Sequence, residues 1–482
     1  MQSLTKNTVL ERNLQTQGVK AEAGIAKIAA LVSIAGVLQI SESLIPQPVP
    51  GVRVGLANMI TLITLVELGF KSALEVAVLR TIVSSFILGT FMTPTFVMSF
   101  SGALVSTAVM GAFAFISSQA PKYGFSIIGI SILGAIAHNV TQLSVAYFLL
   151  IKHPSIFYFL PILMISAVIM GWITGFVTIQ VILKLRKSPL ADPGLEEIDS
   201  SPLPSVAAQA MAGENSGNSF VHRMAPQWKI VMMMALCVLI VFLRDFRAYG
   251  VLAIAIIGLM LITRLPWKAY GNALVRVRSL GSFILISFSF PILFSAAGST
   301  EVIAGFGPLK ISQQGLATGS LFAVRLIMLL WVSYLFSVFT SPSGITCGLS
   351  KILSPFRFLG LPVNRMANVI SISWSGLPSF REKVRATIRQ REDKLRASGQ
   401  KRTGIERAKN LIHIISDIII SVYRQSESSS AAAAQSIDST LETNTPVMAG
   451  SGFELPLVTS KKEQGGEKST RLETGILMQA ER

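Results

Sequence analysis

Apolar runs close to the length of a bilayer recur along this chain, and they constrain its fold more than any other feature. A membrane-crossing helix needs roughly 20 consecutive, mostly apolar residues. Inside lipid the backbone must satisfy its own hydrogen bonds, so such runs fold as helices. In the first half they are Ile25–Ile45, Val54–Gly69, Ser72–Met92, Phe96–Ile116, Phe125–Leu150 and Ile156–Leu183. In the second they are Trp228–Leu243, Val251–Thr263, Leu280–Ala297 and Leu316–Phe339. Leu411–Tyr423 is apolar but short and contains Asp417, so an interfacial helix, a buried piece and a short last span all stay open for it. Only 14% of the 482 residues are charged, against roughly 25% in soluble domains. The expected fold class is an all-α polytopic membrane protein, a six-span bundle followed by one of four to five spans.

The net charge of +17 would suggest nucleic acid in a soluble chain. Here it is explained by Lys and Arg held on the cytoplasmic side and by anionic lipid head groups, and no nucleic acid partner is expected. With the N-terminus inside, Lys71, Lys122 and Lys184–Lys187 fall in cytoplasmic loops, and Arg53, Lys152 and His153 form an external minority. In the second half Arg244–Arg247 makes a short external turn, while Arg264, Lys268, Arg276 and Arg278 lie inside. The first 20 residues lack the short apolar core and cleavage site of a signal peptide, so the first span is expected to be retained. Ser188–Gln227, with Pro189, Pro193, Pro202, Pro204 and Glu196-Glu197, reads as a flexible cytoplasmic linker. After Ser426 the Ser/Ala/Gln/Glu-rich chain reads as disordered. The units are therefore 1–187, 188–227, 228–425 and a tail at 426–482.

Thr340 to Arg402 is neither a span nor an ordinary loop. It is amphipathic, punctuated by Pro355, Pro362 and Pro378, and increasingly basic, with Arg381, Lys383, Arg385, Arg389, Arg391, Lys394 and Arg396 crowding its second half. A cationic segment attached to spans stays cytoplasmic, and its apolar face needs a partner, either the membrane surface or another protein.

Motifs for catalysis are not found in the sequence. Gly465-Gly466-Glu467-Lys468-Ser469-Thr470 is a poor imitation of a phosphate-binding loop, with Glu between glycine and lysine. Cys237 and Cys347 form no metal spacing, the four His do not cluster, and no paired aspartates occur that could hold magnesium for prenyl diphosphate chemistry. An enzyme is not expected, and any ATP hydrolysis requires a separate subunit.

Polar residues inside the first-half runs carry more information, because such groups are costly in lipid. Gln39 and Glu42 lie at the outer end of span one, Asn58 in span two, Arg80 in span three, and His138, Asn139 and Gln142 in span five. Arg80 either snorkels toward Lys71 or lines a wet pocket. His138, Asn139 and Gln142 either bond between helices or face that pocket. Together they suggest a small polar solute site. Ala26 and Ala30, one turn apart, form a small-residue pair that permits close helix approach.

Two stretches resemble known families. Arg325, the Thr340-Ser341-Pro342 exit, Pro355–Val363 and Leu377-Pro378-Ser379-Phe380 are similar to the transmembrane (T) component of energy-coupling factor transporters. Gly55-Leu56-Ala57-Asn58, Leu79-Arg80, Gly89-Thr90-Phe91, Ser99–Gly102 and Gly129–Asn139 resemble the Gx transporter or heptaprenyl diphosphate synthase component I family, a group of small six-span substrate-binding (S) components. The resemblance implies one membrane subunit of an ATP-driven importer of a small solute, in the bacterial cytoplasmic membrane. Two ABC-type ATPase subunits on other chains would bind ATP and Mg, and this chain would hold no cofactor. It assigns S–T docking to Ala26 and Ala30 and coupling to helices at about 343–402, while the polar span residues Asn58, Arg80, His138, Asn139 and Gln142 are the candidate solute-binding set. Their expected Ala-Arg-Gly motif is represented only by Arg396-Ala397-Ser398-Gly399, so Arg391 and Arg396 are the candidate ATPase contacts. The competing readings are a membrane component associated with prenyl diphosphate synthesis and an ATP-independent carrier.

Overall fold

A computed structural model describes residues 24–43, 55–120, 124–151, 154–187, 224–262, 302–306, 309–359 and 362–374, with isolated positions beyond 280. These residues are almost all helical. Helices α1 (Gly24–Ser43), α2 (Leu56–Leu88), α3 (Pro94–Gln119), α4 (Ile127–Ala146) and α5 (Leu160–Lys187) come from the first half. α6 (Pro226–Phe242), α7 (Phe246–Ile262), α8 (Gln313–Phe339), α9 (Pro342–Leu353) and α10 (residues 363–374) follow. One feature the apolar pattern did not announce is an antiparallel hairpin, β1 (Val302–Phe306) and β2 (Leu309–Ser312), pairing Phe306 with Leu309 and leading into α8.

Among the described residues, five helical segments are long and apolar enough to cross a membrane: Gly24–Ser43, Pro94–Gln119, Ile127–Leu149, Ile156–Arg186 and Gln313–Ser337. The two runs predicted at 54–69 and 72–92 form the arms of one helix, α2. It bends at Gly69, where φ 82° and ψ 177° reach a region essentially confined to glycine. α6 and α7 fall where spans are predicted but have 17 residues each. The run at 280–297 and the segment 411–423 lie almost wholly outside the described residues, as do Arg391 and Arg396.

Local sequence explains where the helices start. Ser126, Ser312 and Ser341 each accept a hydrogen bond from the backbone N–H three residues on, as N-caps do. Thr93 caps α3 and Ser341 caps α9, each with proline at the first helical position, where its missing N–H costs nothing.

The bundle is apolar outside and partly polar within. Ile165, Ile169, Trp172, Val251 and Ile254 are exposed, whereas Thr61, Thr64, Ser84 and Thr178 are fully buried. Thr61, Thr64, Thr81 and Thr107 donate to the carbonyl four residues back, which removes the cost of burying a hydroxyl. α2 packs on α3, α3 on α4 and α4 on α5, which returns to α2. α4 and α5 meet closely. A Cβ on Gly171 would lie 2.7 Å from the Ile132 Cα, and one on Gly175 2.8 Å from the Ile128 Cα. This is a GxxxG contact that lets two backbones touch. In the second half α6 packs against α8 and α9, and α8 against α7.

Two seams join the halves. Ser333 and Ser337 of α8 donate to the carbonyls of Phe91 and Phe86 at 2.8 and 3.1 Å. Around them Phe86 stacks on Phe91 and touches Phe336 and Trp374. At the second seam α1 packs on α10: Val369, Ile370 and Ile420 share one core with Ile28, Ala29, Val32 and Ile34.

Candidate functional site

Five helices of the first half surround a polar cavity of about 60 Å³. One water needs roughly 10–15 Å³ of such space, so the cavity has room for a few water-sized groups. Arg80 is its organising charge. The second arm of α2 carries it inward, and only 4% of its surface is exposed. Its Nη1 donates to Gln39 Oε1 of α1 at 2.9 Å, and its Nη2 to Asn58 Oδ1 of the first arm at 2.5 Å. Snorkelling toward Lys71 is therefore not what it does. The bend at Gly69 folds the arms together, so Asn58 and Arg80, 22 positions apart, meet side by side.

Glu42 closes one end. Its Oε1 accepts the Gly55 N–H at 2.5 Å, and Gly55 holds φ 81° at the start of α2, a conformation glycine adopts without strain. Opposite, α4 contributes His138 and Asn139, and α5 contributes Ser166, Met170 and Thr174. A Cβ on Gly102 of α3 would stand 2.9 Å from the His138 ring, so the bare glycine makes the space that ring occupies. Asn139 Nδ2 donates to the Leu163 carbonyl at 2.9 Å, and Ser131 and Thr174 share a hydrogen bond of 2.9 Å, both tying α4 to α5.

Of the residues singled out from the sequence, Asn58, Arg80, His138 and Asn139 line this cavity, together with Gln39 and Glu42. Gln142 is buried but is not among the lining residues. Ala30 is buried in the α1–α10 core and Ala26 is half-buried. The hydrogen bonds of that seam belong to their neighbours. Ser33 Oγ donates to the Ser373 carbonyl at 3.0 Å, and Ser373 Oγ donates back to the Ala29 carbonyl at 3.0 Å. At its margin Arg365 of α10 pairs with Glu75 of α2 at 3.1 Å.

The family described as heptaprenyl diphosphate synthase component I matches residues 31–181, and that described as cobalt transport protein matches 217–435. The chain is 31% identical over 215 residues, 44% of its length and 77% of the relative's, to the energy-coupling factor transporter transmembrane protein EcfT of Thermosediminibacter oceani. This chain belongs to the EcfT family. The EcfT proteins of Listeria innocua and Bacillus subtilis are 28% and 25% identical over 219 residues, again across 44% of this chain and 77% of each relative. The chain is thus a membrane component of an energy-coupling factor transporter. Its EcfT-like part and the polar cavity lie in different parts of the sequence, because the cavity's lining residues, Gln39 to Thr174, all fall within the heptaprenyl diphosphate synthase component I match.

Proposed function

We propose that this chain is a fused membrane subunit of an energy-coupling factor importer, with residues 1–187 acting as the solute-binding S component and 228–425 as the T component. The cavity around Arg80 carries the reading. The EcfT match supports the T assignment of the second half, and the buried polar cavity in the separately matched first half supports the S assignment. Arg80 and His138 favour a small solute with an anionic or strongly hydrogen-bond-accepting group. Glu42, Asn58 and the hydroxyls of α4 and α5 orient its remaining polar atoms. Two ABC-type ATPase subunits, binding ATP and Mg, dock from the cytoplasm on the basic end of the coupling segment, with Arg391 and Arg396 as first contacts. The N-terminus, the linker at 188–227 and the coupling helices face the cytoplasm. The linker keeps the S part at high effective concentration beside its T part while leaving it free to move.

The test is affinity purification of the full chain from native membranes, beside an Arg391→Glu/Arg396→Glu variant. ATPase subunits that accompany the wild type and not the variant support the reading. Their absence from both, with the protein folded in mild detergent, overturns it. A second reading, a role beside prenyl diphosphate synthesis, rests on the description of the first matched family. A prenyltransferase recovered in place of an ATPase would favour it.

A further inference from the structure

A second cavity, of about 70 Å³, opens between the halves of the molecule. Met92, Val97 and Leu149 wall one side, and Val241, Phe322 and Leu329 the other. Every described lining residue is apolar except Arg325 of α8. That arginine is half-buried and accounted for by neutral partners. Its Nε donates to the Tyr249 hydroxyl at 3.0 Å and its Nη2 to the Leu243 carbonyl at 2.9 Å. Phe322 stands under it, 5.6 Å from ring centre to guanidinium carbon. Among the described residues no carboxylate lies within 4.0 Å of it, and Nη1 has no hydrogen-bond partner.

Position gives this charge a meaning. Leu243 caps the end of α6, the turn after it carries exposed Arg244 and Asp245, and exposed Arg247 follows in the first turn of α7. The guanidinium therefore sits level with a polar turn at one membrane face. Met92 lies in the α2–α3 connection and Leu149 near the end of α4, so the other wall also ends at loops on that level. Leu326 and Leu329 continue the wall along α8, away from the mouth. The C-terminus of α6 offsets only about half a positive charge. Arg244 and Arg247 outweigh Asp245 beside it. The result is an apolar cleft with a cationic mouth at a membrane surface.

We propose that this cleft is a lipid site that holds an anionic phospholipid, its phosphate against Arg325 and one acyl chain between α3 and α8. Lipid then forms part of the seam between the halves. The site is independent of the solute cavity, so the proposal stands or falls separately from the importer reading.

The experiment uses the full chain, reconstituted in nanodiscs of phosphatidylethanolamine and phosphatidylglycerol, re-extracted, washed and assayed for retained lipid by mass spectrometry. Arg325→Gln removes the charge. Val97→Trp fills the cleft without touching the guanidinium, and decides the matter if Arg325→Gln fails to fold. The wild type is expected to retain phosphatidylglycerol over phosphatidylethanolamine. Arg325→Gln should retain about fivefold less, the effect of one arginine on anionic-lipid affinity, and Val97→Trp should lose the retained lipid because the acyl chain has no room. Equal retention by wild type and Val97→Trp overturns the proposal. So does indifference to the head group. So does displacement of the retained lipid by millimolar inorganic phosphate, which would make the mouth a free-anion site.

Discussion

The reciprocal serine contact between α1 and α10 sets a measurable strength for the seam between the halves. Ser33 and Ser373 are 1% and 0% exposed, so neither hydroxyl finds water when its partner is removed. A typical intramolecular hydrogen bond contributes about 0.5–1.5 kcal/mol, and membrane-protein cycles average ~0.6 kcal/mol. Two such bonds give ~1–2 kcal/mol, or about five- to thirtyfold in association of the two halves. Both bonds end on backbone carbonyls, which no substitution removes. Ser33→Ala and Ser373→Ala should therefore each weaken the seam by a few-fold. Ser33 also donates to the Ala29 carbonyl at 2.8 Å, so its loss should be the smaller, because part of its bonding is local to α1. Glu75–Arg365 makes the contrast. The side chains are 15% and 43% exposed, and a pair that open is worth only ~0.2–1 kcal/mol and is screened by salt.

The assay is a protease site placed in the linker of the full-length protein, cut after folding and purification. The fraction of the N-terminal half retained by a tag on the C-terminal half reads the seam. The serine double variant should release the N-terminal half most, at any ionic strength. Glu75→Gln should release little, and that little only at low salt. If Glu75→Gln empties the column while the serine double variant retains its partner like the wild type, the reasoning is wrong and a surface charge holds the seam.

Three further outcomes follow from the cavity and its frame. Arg80→Lys keeps the charge but cannot span Gln39 and Asn58 at once, so solute binding measured by calorimetry or uptake should fall sharply while assembly with partner subunits stays intact. Gly171→Ala places a methyl 2.7 Å from the Ile132 backbone, whereas Gly134→Ala meets the flexible Met110 side chain at 2.6 Å; the first should cost ~1–3 kcal/mol of stability and the second less, read as the larger fall in melting temperature for the first. Gly69→Ala forces a side chain into a region that costs ~1–3 kcal/mol, and should lower stability together with solute affinity, since the bend brings Asn58 to Arg80.

Asn58, Arg80, His138 and Asn139 were legible because an amide, a guanidinium or an imidazole in an apolar run needs a partner. Ser99, Ser106, Ser131, Ser166 and Thr174 line the same cavity and were not legible. A hydroxyl can satisfy itself on its own helix, as Thr174 does at the Met170 carbonyl at 2.9 Å, so its presence in a span signals nothing. The seam face of α1 was legible in part: Ala30 lies in the core shared with α10, whereas Ser33, which bonds across it, carried no signal for the same reason as the cavity hydroxyls. Gly171 and Gly175 did carry a signal, a GxxxG spacing in an apolar run, and the contact across α4 and α5 is what it announces. The bend at Gly69 was readable as a break between two spans but not as the hinge that builds the site. Nothing local to Asn58 points to a residue 22 positions away.

The α1–α10 seam also bears on how the first half sits in the membrane. α10 buries Val363, Val369, Ile370 and Ser373 and exposes Asn364, Arg365 and Asn368. That is an amphipathic helix, and its outer face belongs in water. Yet its inner face meets Ser33, about 13 Å along α1 from Gly24 at 1.5 Å per residue. If α1 stood upright in a core ~30 Å thick, that contact would lie near the bilayer centre. Arg365 would then be in hydrocarbon, at ~2.5–3.5 kcal/mol on insertion scales. The cheaper arrangement keeps α10 at the membrane surface, with α1 leaning along it instead of crossing beneath it. A cysteine at Asn368 separates the two. In a Cys347→Ser background, with Cys237 buried, Asn368→Cys should react with a membrane-impermeant maleimide in inverted vesicles and not in intact cells. Reaction only after detergent would place α10 inside the bilayer and α1 upright, and the leaning arrangement would be abandoned.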